Sequence, residues 1–340
     1  MAEVIKLYSV KTKATYEVNS VKSYKIETSI DIPADAFEFI LGNPGYEVSN
    51  VIAAGDKMEF WLNGKLLLEG YIDDIDIEYT LNSNDIRING RDRISVLLDN
   101  DAIPATYNKI GLGDYLKKVL PKYGIAYSCD DNSKIDKITV SPGENEFSVI
   151  ERLSAEKNLI AIYDVTERKL KCTKRISTTN TPYIFANGRP DSYKIKDCQV
   201  TVSADIKSEV TVYGGDFEKT KKIKGFYKDS SLSIKKVRIM NDSDKETVAA
   251  ANKAAKEEFY DKNKDALSVQ LETTTKQVFP INQNAYVQIP KMGFAAHLLI
   301  DSVTYTKDIS SGTITTLSLK LMPGIKVTYK NNQIPTLPKL

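Results

Sequence analysis

Residues 88–100 read INGRDRISVLLDN, and this stretch decides how the chain divides. A strand-like alternation that includes Ile86 and Ile88 meets Gly90, then the cluster Arg91, Asp92 and Arg93, then a short apolar run that reaches Asp99. Such a cluster after a glycine suits either an active-site turn or a structural corner. Upstream the apolar residues recur with the two-residue period of strands, and downstream with the period of helices, so a boundary is expected near residue 100.

Working upstream, KMEFWLNGKLLLEGYI sets Asn63-Gly64 between two apolar runs, the dipeptide that accommodates the positive φ angles of a tight hairpin turn. IDIEYTLNSNDIRING then alternates Ile75, Ile77 and Tyr79 with Asp74, Asp76 and Glu78, which predicts one buried and one wet face. Several short strands at this spacing predict a small antiparallel β-barrel over residues 1–100, since closure removes exposed edges.

Downstream, Leu112, Tyr115, Leu116, Val119 and Leu120 fall at helical spacing before Pro121 and Gly124. Phe147, Ile150 and Leu153 repeat the pattern, with Asn145 as the expected cap. Each helix is followed by β-prone segments, so residues 101–183 read as a compact α/β domain. Residues 184–330 return to strands, interrupted by one helix at about 243–264, where Ser243 and Glu246 have capping-box spacing and Val248, Ala251, Ala255 and Phe259 line one face. The fold class is thus β-rich α+β: two small antiparallel barrels separated by an α/β domain, with an extra helix in the second barrel region. Residues 331–340, which include IPTLPKL, read as an extended tail.

The 340 residues suffice for two or three domains at roughly 100–200 residues each. Hydrophobic residues make up 41% and charged residues 27%, and no apolar run approaches the ~20 residues of a membrane span. MAEVIKLYSV lacks a secretory signal pattern. Cys129, Cys172 and Cys198 are odd in number and widely spaced, suggesting reduced thiols rather than a disulfide framework or zinc site. The net charge of +2 hides an asymmetry: residues 1–100 carry 10 basic and 17 acidic side chains, and residues 184–340 carry 24 and 17. An acidic end and a basic end point to complementary surfaces in an assembly.

Catalytic patterns are missing. His297 is the lone histidine, in an apolar strand context that suits a packed or half-buried residue. No nucleophile elbow, phosphate-binding loop, dinucleotide fingerprint or zinc-protease motif occurs, and no cofactor or metal is indicated. The carboxylate pairs Glu144/Glu146 and Asp73/Asp74 are what a glycosidase could use, although solvated surface acids are the plainer reading. The basic run 219–238 includes Lys219, Lys221, Lys222, Lys224 and Lys228 beside Phe226 and Tyr227. It reads as a solvated hairpin or loop, then as a contact for an acidic protein partner, and less readily as a nucleic-acid site.

DKMEFWLNGKLLLEGYIDDIDIEY followed by IRINGRDRISVLLDNDA resembles the first barrel of baseplate hub proteins from contractile phage tails, the phage Mu gene P and late-control-protein D group. GLGDYLKKVLPKYGI and FSVIERLSAEKNLIAIYDVTERKLKC resemble that family's α/β insert, SEVTVYGG the opening of its second barrel, and AYVQIPKMGFAAHLLIDSVTYTKDISSGTITTLSLKLMP its close. The resemblance spans about residues 45–322. It implies a non-enzymatic homotrimer, in the baseplate of a virion or tail-like bacteriocin assembled in the host cytoplasm, whose two barrels per subunit alternate in a pseudo-sixfold ring. The implied partners are the tail tube or a tube initiator and the spike, with tape-measure and LysM-type tail proteins as further candidates; no membrane anchor or specific nucleic-acid binding is implied. Under this resemblance Gly90, Arg91, Asp92 and Arg93 form a structural corner, with Arg91 or Arg93 pairing Asp92, Asp99 or a backbone carbonyl. A tail-associated peptidoglycan hydrolase, or a cell-wall-binding module, is the alternative.

Overall fold

The computed structural model describes residues 3–18, 21–42, 50–81, 83–177, 180, 183–203, 205–215, 223–230, 235–242, 245, 247–310 and 312–322. The chain forms two compact units. Met1–Arg175, Glu272–Ile281 and Asp301–Leu317 make the first; Ile176–Leu271, Asn282–Ile300 and Ser318–Leu340 make the second. Among the described residues no helix is long and apolar enough to cross a membrane.

The first unit begins with β1 (Glu3–Tyr8), β2 (Thr15–Val18), β3 (Val21–Ser29), β4 (Ala36–Gly42), β5 (Lys57–Leu62), β6 (Lys65–Tyr79) and β7 (Asn84–Asp92). These strands are ordered β3-β4-β7-β6-β5-β1-β2 with antiparallel pairing throughout. The β5–β6 turn is the expected Asn63-Gly64 pair, with φ of 51° and 76°. In the ladder β3 and β5 stand four steps apart, about 19 Å if the sheet were flat. Yet the Tyr24 and Phe60 ring centroids are 5.0 Å apart, and Phe39 is 5.1 Å from Phe60. The sheet therefore curls tightly around these aromatic rings.

Curling brings backbones together, and this is where Gly90 is needed. It lies inside β7, not at its exit, and a Cβ there would stand 2.1 Å from the Tyr71 carbonyl oxygen and 2.3 Å from Phe37 Cζ. The predicted burial of Ile77 and Tyr79 does not hold: both are exposed, and Ile75 is half-buried. The reason is strand length. β5 pairs with β6 only as far as Tyr71, and a register shift between Ile72 and Asp74 follows, so among the described residues the far half of β6 has β7 alone as a strand neighbour. Ile86 and Ile88 on β7 remain buried because β4 covers their other side.

Next come α1 (Ser95–Leu98), β8 (Ala105–Gly111), α2 (Leu112–Val119), β9 (Ala126–Cys129), β10 (Lys134–Val140), α3 (Glu146–Glu156), β11 (Ile160–Asp164) and β12 (Lys169–Thr173). Leu112, Tyr115, Leu116 and Val119 of α2 bury together with Phe147, Ile150 and Leu153 of α3, as the spacing predicts. Asn145 caps α3, its side-chain oxygen accepting the Ser148 N–H at 2.8 Å. β12 lies between β11, antiparallel, and β9, parallel.

The remaining elements are β13 (Tyr183–Ala186), β14 (Asp197–Val202), β15 (Glu209–Gly214), β16 (Ile223–Lys228), β17 (Val237–Asp242), α4 (Val248–Asn263), β18 (Leu267–Thr273), β19 (Asn284–Ile289), β20 (Phe294–Asp308) and β21 (Gly312–Lys320). β18, β20 and β21 each have residues in both units. Within the first unit, Ser302–Lys307 of β20 pair with β3. Within the second, β15 is the middle strand of a separate three-stranded sheet with β16 antiparallel and β17 parallel. The antiparallel pairing expected of the second barrel is thus modified at β13–β19 and β15–β17, and β9–β12 in the α/β insert is also parallel, each with intervening chain long enough for a parallel crossover.

Ala251, Ala255 and Phe259 of α4 pack on Val210 and Val212 of β15, but Val248 is exposed. The helix starts later than the spacing predicts, with Thr247 as its cap accepting the Ala250 N–H at 3.1 Å. Ser243, Glu246 and the tail 331–340 lie outside the described residues. Replacing Gly90 by Ala forces the added methyl into the Tyr71 carbonyl and the Phe37 ring. We expect a loss of about 3 kcal/mol, read as a lower urea midpoint with unchanged slope.

Candidate functional site at the end of strand β7

The Arg-Asp-Arg cluster ends β7, and its three side chains take different routes. Arg91 bridges two carboxylates: Nε donates to Asp73 Oδ2 at 2.7 Å, and Nη1 and Nη2 donate to Asp99 at 3.0 and 2.9 Å. The Asp73 contact, then that to Asp99, pushes the guanidinium pKa up. Pairing with Asp99 matches the sequence reading; Asp73 was not anticipated.

Asp92 pairs with neither arginine, contrary to one of the expected arrangements. Its side chain turns inward, is 3% exposed, and accepts the Ile94 N–H at 2.9 Å, while its own N–H donates to the Asp35 carbonyl at 2.8 Å. Burial raises its carboxyl pKa to about 7 against the opposing backbone hydrogen bonds. Asp35 is also pushed well above its ordinary value, by burial and then by the Asp92 charge.

Arg93 reaches the other way, donating from Nη2 to the Gly124 carbonyl at 2.7 Å and from Nη1 to Glu69 Oε1 at 3.2 Å. Glu69, on β6, was missed. Its side chain is 0% exposed and is held by Lys57 Nζ at 2.6 Å, by Arg93, by Arg168 Nη1 at 3.5 Å and by the Tyr163 hydroxyl at 3.4 Å. Lys57 belongs to β5 and Arg93 follows β7, whereas Tyr163 lies on β11 and Arg168 in the β11–β12 turn. One buried carboxylate therefore ties the curled sheet to the α/β insert. Burial alone would raise its pKa, but Lys57, Arg168 and Arg93 outweigh that and hold it below its ordinary value. The available sequence signal was an acid inside the apolar run LLLEGYI.

Three of the four carboxylates considered for hydrolysis are occupied in the same manner, and Asp74 is exposed. Glu144 accepts the Ser141 N–H at 2.6 Å and pairs with Arg152 at 3.0 Å, contacts that hold its pKa down. Glu146 is buried against Lys122 at 2.5 Å and the Tyr115 hydroxyl at 3.3 Å. Asp73 belongs to Arg91.

Of the basic segment, Lys219, Lys221 and Lys222 lie outside the described residues. Lys224 and Lys228 are on β16, which pairs antiparallel with β15, so this part follows the hairpin alternative of the hairpin-or-loop reading. Gly225 permits it: a Cβ there would come within 2.0 Å of the Ala251 carbonyl carbon of α4. Lys228 pairs with Glu209 at 2.9 Å. Phe226, Val237 and Ile239 are exposed, and the register sets Phe226 and Ile239 on either side of Thr211. His297, on β20, is half-buried against the Tyr286 ring at 4.9 Å, and burial lowers its pKa.

Residues 16–92 match the family model described as Mu phage baseplate assembly protein GpP-like, N-terminal. No curated protein matches the chain. Among solved structures, the chain is similar to the 43 kDa tail protein of prophage MuSo2 from Shewanella oneidensis, with 19% identity, 94% of this chain and 100% of that one covered, and a TM-score of 0.78. A tail protein from Neisseria meningitidis gives 18% identity, 94% and 97% coverage, and a TM-score of 0.76. An E. coli component of the type VI secretion system, described as structurally similar to T4 tail proteins gp27 and gp5, gives 11% identity, 94% and 76% coverage, and 0.60. These matches support the resemblance to contractile-tail baseplate hub proteins.

Two outcomes follow from the buried carboxylates. Glu69→Gln leaves three cations facing a neutral amide and should cost about 2 kcal/mol, discounted because those cations are partly exposed. The depressed pKa of Glu69 stabilises the fold fully above its ordinary 4.5, and that stability is lost as pH falls through the folded value. Acid unfolding of the variant should accordingly be less steep. For Asp92 the sign is opposite: the raised pKa favours the fold below its ordinary 3.8 and this contribution is lost as pH rises through about 7. Asp92→Asn should flatten the decline in thermal midpoint between about pH 4 and about pH 7.

Proposed function

We propose that this chain is a structural hub of a contractile-tail baseplate, a non-enzymatic homotrimer that joins a sixfold tail tube to a threefold spike. The match of residues 16–92 to a baseplate assembly family carries this reading, and the fold likeness over 94% of the chain to a prophage tail protein is consistent with it. In this reading each subunit contributes two barrels, and three subunits alternate them in a pseudo-sixfold ring around a channel. Closure of the first barrel is favoured by Glu3 on β1, which takes Lys307 of β20 at 2.6 Å and Lys276 at 2.8 Å, bringing the two sides of the ladder together. Such a ring transmits force through strands and buried ion pairs and needs no reactive group.

The subunit contacts we propose are electrostatic at their edges and apolar at their centre. The far end of β6 exposes Ile77 and Tyr79 between Asp74, Asp76 and Glu78. It belongs to the acidic first hundred residues, whereas residues 184–340 are basic, so acid meets base when one copy's first barrel abuts the next copy's second. The exposed face of β15–β17, with Lys224 and Phe226, is a contact for the spike or tube.

Hydrolysis is not favoured. An ionised, arginine-paired Glu144 is poorly suited to act as a general acid, and Lys122 neutralises Glu146. Peptidoglycan zymography should show no clearing. Light scattering should give a mass about three times 38.0 kDa for the chain alone, or that mass plus the spike's own when assembly requires the spike. Raising salt should weaken the trimer, since exposed charges are screened within about 8–10 Å near physiological ionic strength. Ile77→Ser with Tyr79→Ser should also weaken it while leaving the monomer's unfolding midpoint unchanged. A persistent monomer in the presence of the spike would overturn the reading.

A further inference from the structure

Cys129 and Cys172 are far apart in sequence, yet the parallel pairing of β9 and β12 makes them direct partners across the strands. Direct partners in a sheet project to the same face, with Cα atoms roughly 4.8 Å apart, inside the range of about 4.4–6.8 Å that a disulfide spans. Both are free thiols, and their side chains contact each other. Their surroundings differ. Cys172 is 0% exposed and takes the Ser154 hydroxyl at 3.4 Å, whereas Cys129 is half-buried, ends an edge strand, and donates to the Asp131 carbonyl at 3.0 Å. Cys198 lies in the other unit and has neither as a strand partner.

We propose that Cys129 and Cys172 form a thiol pair that a peroxide oxidises to a disulfide, stapling β9 to β12 in the α/β insert. Cys129 is the attacking sulfur because it alone of the two reaches solvent. Its thiolate attacks one peroxide oxygen, the O–O bond breaks and hydroxide leaves, giving a sulfenic acid. The Cys172 sulfur then attacks Cys129 Sγ, the S–O bond breaks, water leaves and the S–S bond forms. The two thiols lose two electrons and two protons, and the peroxide becomes two waters. The contact with Cys172 lowers the Cys129 pKa to about 7, so a useful fraction is thiolate near neutrality. Cys172, raised by that same contact and by burial, is suited to the second step.

The consequence is structural. The segment between the two sulfurs contains β10, α3 and β11, so the bridge closes a loop that carries about half of the insert's buried core. A chain made in a reducing compartment folds without it and acquires it on reaching peroxide, without moving a strand.

The test uses the full chain with hydrogen peroxide, then alkylation under denaturing conditions and intact mass measurement. The expected product is lighter by two hydrogens, alkylates at Cys198 alone, and yields a Cys129–Cys172 cross-linked peptide that dithiothreitol releases. The initial rate of Cys129 loss should fall roughly 30-fold from pH 8 to pH 5.5, following the thiolate fraction. Cys198→Ser should retain the bridge, and Cys129→Ser and Cys172→Ser should each abolish it. Cys129→Ser, isosteric at a half-buried site, distinguishes loss of the bridge from loss of folding. Oxidation of Cys129 to sulfinic acid while Cys172 stays alkylatable, or a bridge between two chains, would overturn the proposal.

Discussion

A carboxylate removed from water must be neutralised where it stands, and Glu69 imposes that requirement on the first unit. Lys57 and Arg93 come from the ends of strands beside it, and Arg168 and Tyr163 come from the insert. The charge is stable only when sheet and insert are both folded and docked, because removing either side leaves a buried ion incompletely paired. This makes the acid a specificity device as much as a source of stability. A hydrophobic side chain of similar size could fill the space without requiring any particular partner.

The rest of the junction follows the same logic at smaller scale. Arg91 bridges Asp73 and Asp99, Glu146 takes Lys122, and Glu3 takes Lys276 and Lys307. Charges at each of these places hold elements together. The curl of the sheet around Tyr24, Phe39 and Phe60 brings backbones so close that Gly90 has no room for a Cβ. In the proposed hub this construction would help, since ion pairs and close backbone contacts resist shear between strands better than apolar packing, which has no preferred direction.

Where the chain departs from this internal pairing, it leaves material for contacts with other molecules. Ile77 and Tyr79 extend beyond the reach of β5, and Phe226 and Ile239 face outward on the sheet that α4 covers from behind. The acidic and basic ends of the chain supply opposite signs for such contacts, consistent with the proposed ring.

The residue order by itself determined the β-rich class, the Asn63-Gly64 turn, the buried faces of α2 and α3 and the Asn145 cap, because each depends on side chains near in sequence. Tertiary structure alone decided that Asp92 turns inward to Asp35, that Ile77 loses its cover, that Glu69 is buried among its cations, and that Cys129 and Cys172 become strand partners. Those outcomes depend on which strands become neighbours and how far each extends. A linear pattern of polarity fixes which face a residue takes along its own strand, but it does not contain the identity of the strand beside it, and that neighbour sets burial, charge pairing and the approach of one sulfur to another.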